Sequence, residues 1–122
     1  MSTRDVGAEG ETLAVKHLEK LGYRILETNL VTRYGEIDVV AKDRGDLAFV
    51  EVKLRKTEEF GIPAAAVNLR KQSKIVRSAL SYVKAKRLCG ENLRFDVLAI
   101  GPEPGKIELI KDAFAASPRY TL

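Results

Sequence analysis

The stretch from Glu36 to Arg55 constrains the fold more than any other part of the chain. Glu36–Lys42 and Leu47–Arg55 alternate at the two-residue period of a strand, and Asp43-Arg44-Gly45-Asp46 between them has the composition of a compact hairpin turn. A hairpin centred between Arg44 and Gly45 sets Asp38 opposite Glu51, Glu36 opposite Lys53 and Val40 opposite Phe49, with all six side chains on one face. The other face collects Ile37, Val39, Ala41, Ala48, Val50, Val52 and Leu54, and is wholly apolar. The first face is apolar at its turn end and charged at its open end. Apolar residues on both faces require cover on both sides.

The rest of the chain supplies that cover. Residues 7–21 read as a helix, with Ala14, Leu18 and Leu21 at helical spacing and Gly22 as the stop. Tyr23–Leu30 reads as a strand and Tyr34-Gly35 as a turn. After the Phe60-Gly61-Ile62-Pro63 loop, Pro63 suits the first position of a long helix, Ala64–Arg87, whose buried stripe is Ile75, Val76, Ala79, Leu80 and Val83. Arg94–Ile100 is an apolar strand, 102–105 a turn and Lys106–Lys111 a last strand. The order is α-β-β-β-α-β-β, an α/β fold with a mixed sheet and a helix on each side. No repeat or long linker interrupts it, so residues 1–111 are expected to form one domain and 112–122 a C-terminal tail.

Composition removes whole classes of chemistry. With one Cys (Cys89) and one His (His17), there is no zinc finger, paired-His metalloprotease site or disulfide framework. The working groups are carboxylates and lysines. The N-terminus has no apolar run of signal-peptide length, and a lone Cys fits a reducing compartment, so the expected location is the cytoplasm, away from any membrane. The net charge of +4 is unevenly spread. Between Phe60 and Gly90 lie seven bases and no acid, so this segment carries +7 and the remainder −3. Arg70, Lys74, Arg77 and Lys84 share one face of the helix, and Lys71 joins the run. A one-sided basic element suits the phosphate backbone of a nucleic acid.

Two carboxylates facing each other about 5 Å apart repel by roughly 3 kcal/mol at an effective dielectric of 20. A divalent cation between Asp38 and Glu51 offsets that cost, and Lys53 alone does so in part. With oxygen ligands only, the expected ion is Mg²⁺ or Mn²⁺. Lys53, two residues beyond Glu51 on the same face, is placed to stabilise developing negative charge or to orient an attacking water. The competing reading is a surface hairpin with a Glu36–Lys53 ion pair and two solvated acids. Glu11, on the side of the first helix that carries Ala14, Val15 and Leu18, is a third candidate acid. The other reading is a first-turn Glu favoured by the helix dipole, a role Glu9 fills as well, and the buried side favours Glu11 as a site residue. Arg33 and Arg55, near strand ends, are candidate phosphate contacts beside Lys71, Lys74 and Arg77; Asp96, following Arg94, reads as structural.

Taken together, these segments resemble the YraN family of bacterial proteins, which belongs with the PD-(D/E)XK nucleases and is similar to the archaeal Holliday junction resolvases. The resemblance is carried by Gly7-x-x-Gly10-Glu11-x-x-Ala14, Gly22-Tyr23, Asn29, Gly35-Glu36-Ile37-Asp38, Phe49-Val50-Glu51-Val52-Lys53-x-Arg55, Phe60-Gly61-x-Pro63, Ala66-Val67, Lys71 and Arg94-Phe95-Asp96. It implies a restriction-endonuclease-like α-β-β-β-α-β core, Asp38 and Glu51 as metal ligands, Lys53 as the catalytic lysine and Glu11 as a helix acid at the site. Ile37 stands where the superfamily's name has Pro. Resolvase-type activity further implies a homodimer with two sites.

The expected function is Mg²⁺-dependent phosphodiester hydrolysis on branched or structured DNA. The alternatives are a catalytically silent nucleic-acid-binding module on a nuclease scaffold and a protein–protein adaptor. The intact Asp38, Glu51 and Lys53 set favours the enzyme over the silent module. The acid-free basic helix favours both over the adaptor.

Overall fold

A computed structural model describes residues 3–55, 68–103 and 106–115, with side chains from Glu9 onward in the first helix. The elements are α1 (Thr3–Lys20), β1 (Arg24–Thr32), β2 (Gly35–Asp43), β3 (Asp46–Leu54), α2 (Leu69–Ala85), β4 (Asn92–Ile100) and β5 (Ile107–Phe114). They form a five-stranded mixed sheet in the order β1-β2-β3-β4-β5, the α/β architecture expected from the sequence. Only β3 and β4 are parallel. A parallel pair needs a long crossover, and the segment containing α2 supplies it.

The sheet is covered on both faces. On one side α2 sets Ile75, Val76, Ala79, Tyr82 and Val83 against Val40, Leu47, Phe49, Phe95 and Val97. On the other, Ala14 and Leu18 of α1 lie on Val39, Ala41, Ala48, Val50, Val52 and Leu98. Phe95 stacks between Phe49 and Phe114, with centroids 5.7 and 5.2 Å away. β5 therefore contributes to the core through Phe114, three residues past the strand end expected at Lys111.

Local chemistry sets the element ends. Gly22 takes a left-handed φ of 94°, while its N–H bonds Glu19 O and the Tyr23 N–H bonds Leu18 O. This double return closes α1 and leaves Leu21 half exposed outside the buried stripe, contrary to expectation. Asn68 is extended (φ −71°, ψ 167°), and its side chain accepts the Lys71 N–H at 2.9 Å. That cap starts α2 at Leu69, five residues past the start expected at Ala64. The Phe60–Pro63 loop, Pro63 and Ala64–Val67 lie outside the described residues, as does the segment 116–122.

The hairpin register is the expected one, with Val40 paired to Phe49 and Ala41 to Ala48. One side-chain assignment is corrected. Ile37 packs with Val40 and Phe49 on the α2 side, not with Val39 on the α1 side. The cause is local: the β2–β3 ladder ends at Val39/Val50, and the β1–β2 ladder omits Asn29 and Asp38, with Asn29 at φ 49°. Strict two-residue alternation holds only along a regular ladder, and it slips across Asp38.

Candidate active site

Asp38 and Glu51 are both buried, at 6% and 7% exposure, where the two hairpin strands part. Past Val39/Val50 the strands no longer exchange backbone bonds. The Val52 N–H instead donates to Asp38 Oδ2 at 2.7 Å, so a side-chain carboxylate takes the place of a ladder carbonyl. Across the gap the carboxyls of Asp38 and Glu51 lie beside each other. Burial, then the Glu51 charge, push the Asp38 carboxyl up to about 7, against the opposing pull of the Val52 N–H and Lys71.

Lys71 is the principal addition to the site. From the first turn of α2 its Nζ reaches Glu51 Oε1 at 2.6 Å, with the lysine side chain 42% exposed and the glutamate 8%. The Asn68 cap holds the turn that carries it. The sequence placed Lys71 with the helix bases, and the structure places it on the acid pair. Its visible signal was a base in the first turn of a helix that has no acid there to meet it. Lys53 is half-buried on β3, two residues past Glu51.

Glu11 does not join this pair. It is half-buried on α1 and accepts a hydrogen bond from the Asn29 side chain, and Asn29 occupies the register position of Asp38 on the neighbouring strand. Among the described residues no group of three or more Asp, Glu, His and Cys is close enough to hold a metal. Asn29 belongs beside the site; its signal was its place among the motif residues.

The remaining candidates divide by position. Arg33 lies in the β1–β2 turn, with its guanidinium 5.3 Å from the Tyr34 ring centroid. Arg55 is engaged with Glu108 of β5 at 3.0 Å. Lys74 and Arg77 are exposed on α2. Asp96 is structural. Fully buried, it accepts from Tyr23 Oη at 2.9 Å, from Arg94 Nε and Nη2 at 2.9 Å each, and from the Asp112 N–H at 2.9 Å.

The donor set fits a hard divalent cation. One Asp38 oxygen is taken by Val52 and one Glu51 oxygen by Lys71, which leaves one oxygen on each acid. A buried acid pair in which one carboxyl is pushed up to about 7 is a place where a cation can replace a proton. Mg²⁺ characteristically takes one or two carboxylates and keeps several waters.

Fold and site define an α/β protein with a buried acid pair and two lysines at the opening of a hairpin. The chain belongs to the family described as uncharacterised protein family UPF0102, the YraN family, whose match spans residues 10–100. It is 49% identical to a UPF0102 protein of Syntrophus aciditrophicus over 110 residues, covering 88% of this chain and 87% of the relative. It is likewise 49% identical to one of Trichlorobacter lovleyi over 114 residues, 89% of each chain. A UPF0102 protein of Geobacter sulfurreducens is 45% identical over 112 residues, 89% of this chain and 88% of the relative. No helix among the described residues is long and apolar enough to cross a membrane.

Proposed function

We propose that this protein is a divalent-cation-dependent nuclease acting on branched or otherwise structured DNA. One observation carries the reading: Asp38 and Glu51 stand buried side by side, with Lys53 two residues beyond on the same strand. Burying two adjacent acids is costly. A site that buries both carboxyls together is organised to take up positive charge.

In this reading Asp38 and Glu51 would hold Mg²⁺ or Mn²⁺. When bound, the ion supplies Lewis-acid polarisation of a phosphodiester oxygen and activation of a water. Lys53 orients that water or stabilises the charge that develops on the phosphoryl oxygens. Lys71 sets the charge of the site through Glu51. Lys74 and the other exposed bases of α2 hold the phosphate backbone.

The test is a cleavage panel of duplex, single-stranded, flap and four-way-junction DNA with Mg²⁺, Mn²⁺ or EDTA. Metal-dependent cleavage of a branched substrate that is lost in Asp38→Asn supports the nuclease. Salt-sensitive binding with no cleavage under any metal favours the silent module, for which the Lys71–Glu51 pair already provides a metal-free counter-charge.

A further inference from the structure

The β1–β2 turn is built more firmly than a hairpin turn requires. Thr32 and Gly35 pair across it, so Arg33 and Tyr34 form a two-residue tip. Thr32 Oγ1 accepts the Tyr34 N–H at 3.1 Å and lies 3.0 Å from the Gly35 carbonyl oxygen. It is also 2.8 Å from Ser78 Oγ of α2. Ser78 is fully buried, a hydroxyl within a helix stripe that is otherwise mainly apolar, and its bond to Thr32 fastens the turn to α2. A Cβ built on Gly35, at φ 146°, would meet Lys74 Cβ and Ser78 Oγ at 4.0 Å, so the turn rests against the helix here.

The tip residues are not those that a two-residue turn favours. Such turns take Asn, Asp or Gly. Here a guanidinium lies over a phenol ring at 5.3 Å, both on the surface, with the ring 37% exposed.

Their placement relative to the acid pair is fixed by two elements at once. Along α2, Lys71 touches Glu51, Lys74 lies beside Gly35, and Ser78 bonds Thr32 of the turn. Along the chain into β2, Tyr34 lies four steps before Asp38, about 13 Å at strand rise. Acid pair, Lys71, Lys74 and turn tip therefore form one continuous track. At about 3.4 Å per nucleotide step, 13 Å corresponds to roughly four nucleotides.

Resting on the nuclease reading above, we propose that the Arg33–Tyr34 tip recognises an unstacked base in DNA three to four nucleotides from the phosphate at the acid pair. Tyr34 stacks on the base, while Arg33 holds its ring and meets the adjacent phosphate. Stacking needs a base free of its neighbours, so the tip selects bulges, flaps and branch points over continuous duplex. It supplies the preference for structured DNA, which the basic helix, being indifferent to base stacking, does not.

The experiment is fluorescence anisotropy in EDTA, at one salt concentration. It compares a continuous duplex with the same duplex carrying one unpaired nucleotide, using the full chain and its Tyr34→Ala and Tyr34→Phe variants. The parent should prefer the bulged duplex, Tyr34→Phe should keep that preference, and Tyr34→Ala should lose about 5- to 150-fold in affinity for the bulge alone. With Mg²⁺, the parent's cut should fall three to four nucleotides from the bulge. Equal losses on both duplexes, an unchanged preference in Tyr34→Ala, or a parent that binds and cleaves both duplexes alike would overturn the tip's role while leaving the nuclease intact. A parent that binds neither duplex would overturn the nucleic-acid reading and this inference with it.

Discussion

The Val52 N–H donates to Asp38 Oδ2 at 2.7 Å at the point where the β2–β3 ladder stops. A backbone donor that a regular hairpin would pair with a carbonyl is satisfied by a carboxylate. The opening of the strands and the burial of the acid are thus one event. The same bond fixes the orientation of Asp38, leaving its second oxygen for Glu51 or for a cation.

The raised Asp38 carboxyl has a defined consequence for stability. Between the ordinary carboxylate range and about 7, the folded protein keeps a proton that the unfolded chain has released. Stability from this group is full at low pH and is lost as pH rises through 7. Urea unfolding in EDTA should show the parent less stable at pH 8 than at pH 5 by roughly 2–3 kcal/mol from this group. Asp38→Asn should remove that slope, and a variant with the parent's slope would place the titration elsewhere.

The acid pair should respond to metal as a unit. Without metal at pH 8, Asp38→Asn should be more stable than the parent by roughly 0.5–2 kcal/mol, because one of two neighbouring buried charges is gone. Glu51→Gln should be closer to neutral, since relief of repulsion is offset by loss of the Lys71 ion pair. Thermal unfolding across a Mg²⁺ or Mn²⁺ series should raise the parent's Tm by mass action and shift both variants far less. Variants matching the parent's response would place any ion away from Asp38 and Glu51.

Lys53 should serve the chemical step more than binding. Lys53→Ala should keep metal and DNA affinity within a few-fold, while single-turnover cleavage falls about 10²-fold or more, the scale of one lost transition-state stabiliser. Cleavage at the parental rate would remove Lys53 from the mechanism.

Far from this site, Arg94 holds the turn end of the hairpin. Its guanidinium meets Asp43, Asp46 and Asp96 at 2.9 Å each and Tyr23 Oη at 2.6 Å. Arg94→Leu leaves the fully buried Asp96 without its counter-charge, and the expected loss is about 3–5 kcal/mol in urea unfolding. A loss under about 1 kcal/mol would show that Tyr23 and the Asp112 N–H suffice for Asp96.

Much of this protein is legible in its sequence because the information is local. Alternation and a four-residue turn define the hairpin and its register, helical spacing defines the buried stripes apart from Leu21 and Leu80, which stay partly exposed, and Gly22 ends α1 through its left-handed backbone. The facing of Asp38 and Glu51 follows from the hairpin register carried one step past its last paired residues, Val39 and Val50. What the tertiary structure decided depends on groups far apart in the chain. The slip at Asp38 moves Ile37 to the other face, and no single-strand period contains it. Lys71 belongs to the acid pair because α2 packs where its capped first turn meets β3, a placement set by the core and not by the lysine. Glu11 turns to Asn29 because α1 lies on the opposite face of the sheet from α2. Hydrophobic periodicity says which side of a helix is buried. It does not say against which strand position each residue comes to rest, because packing the whole core determines that.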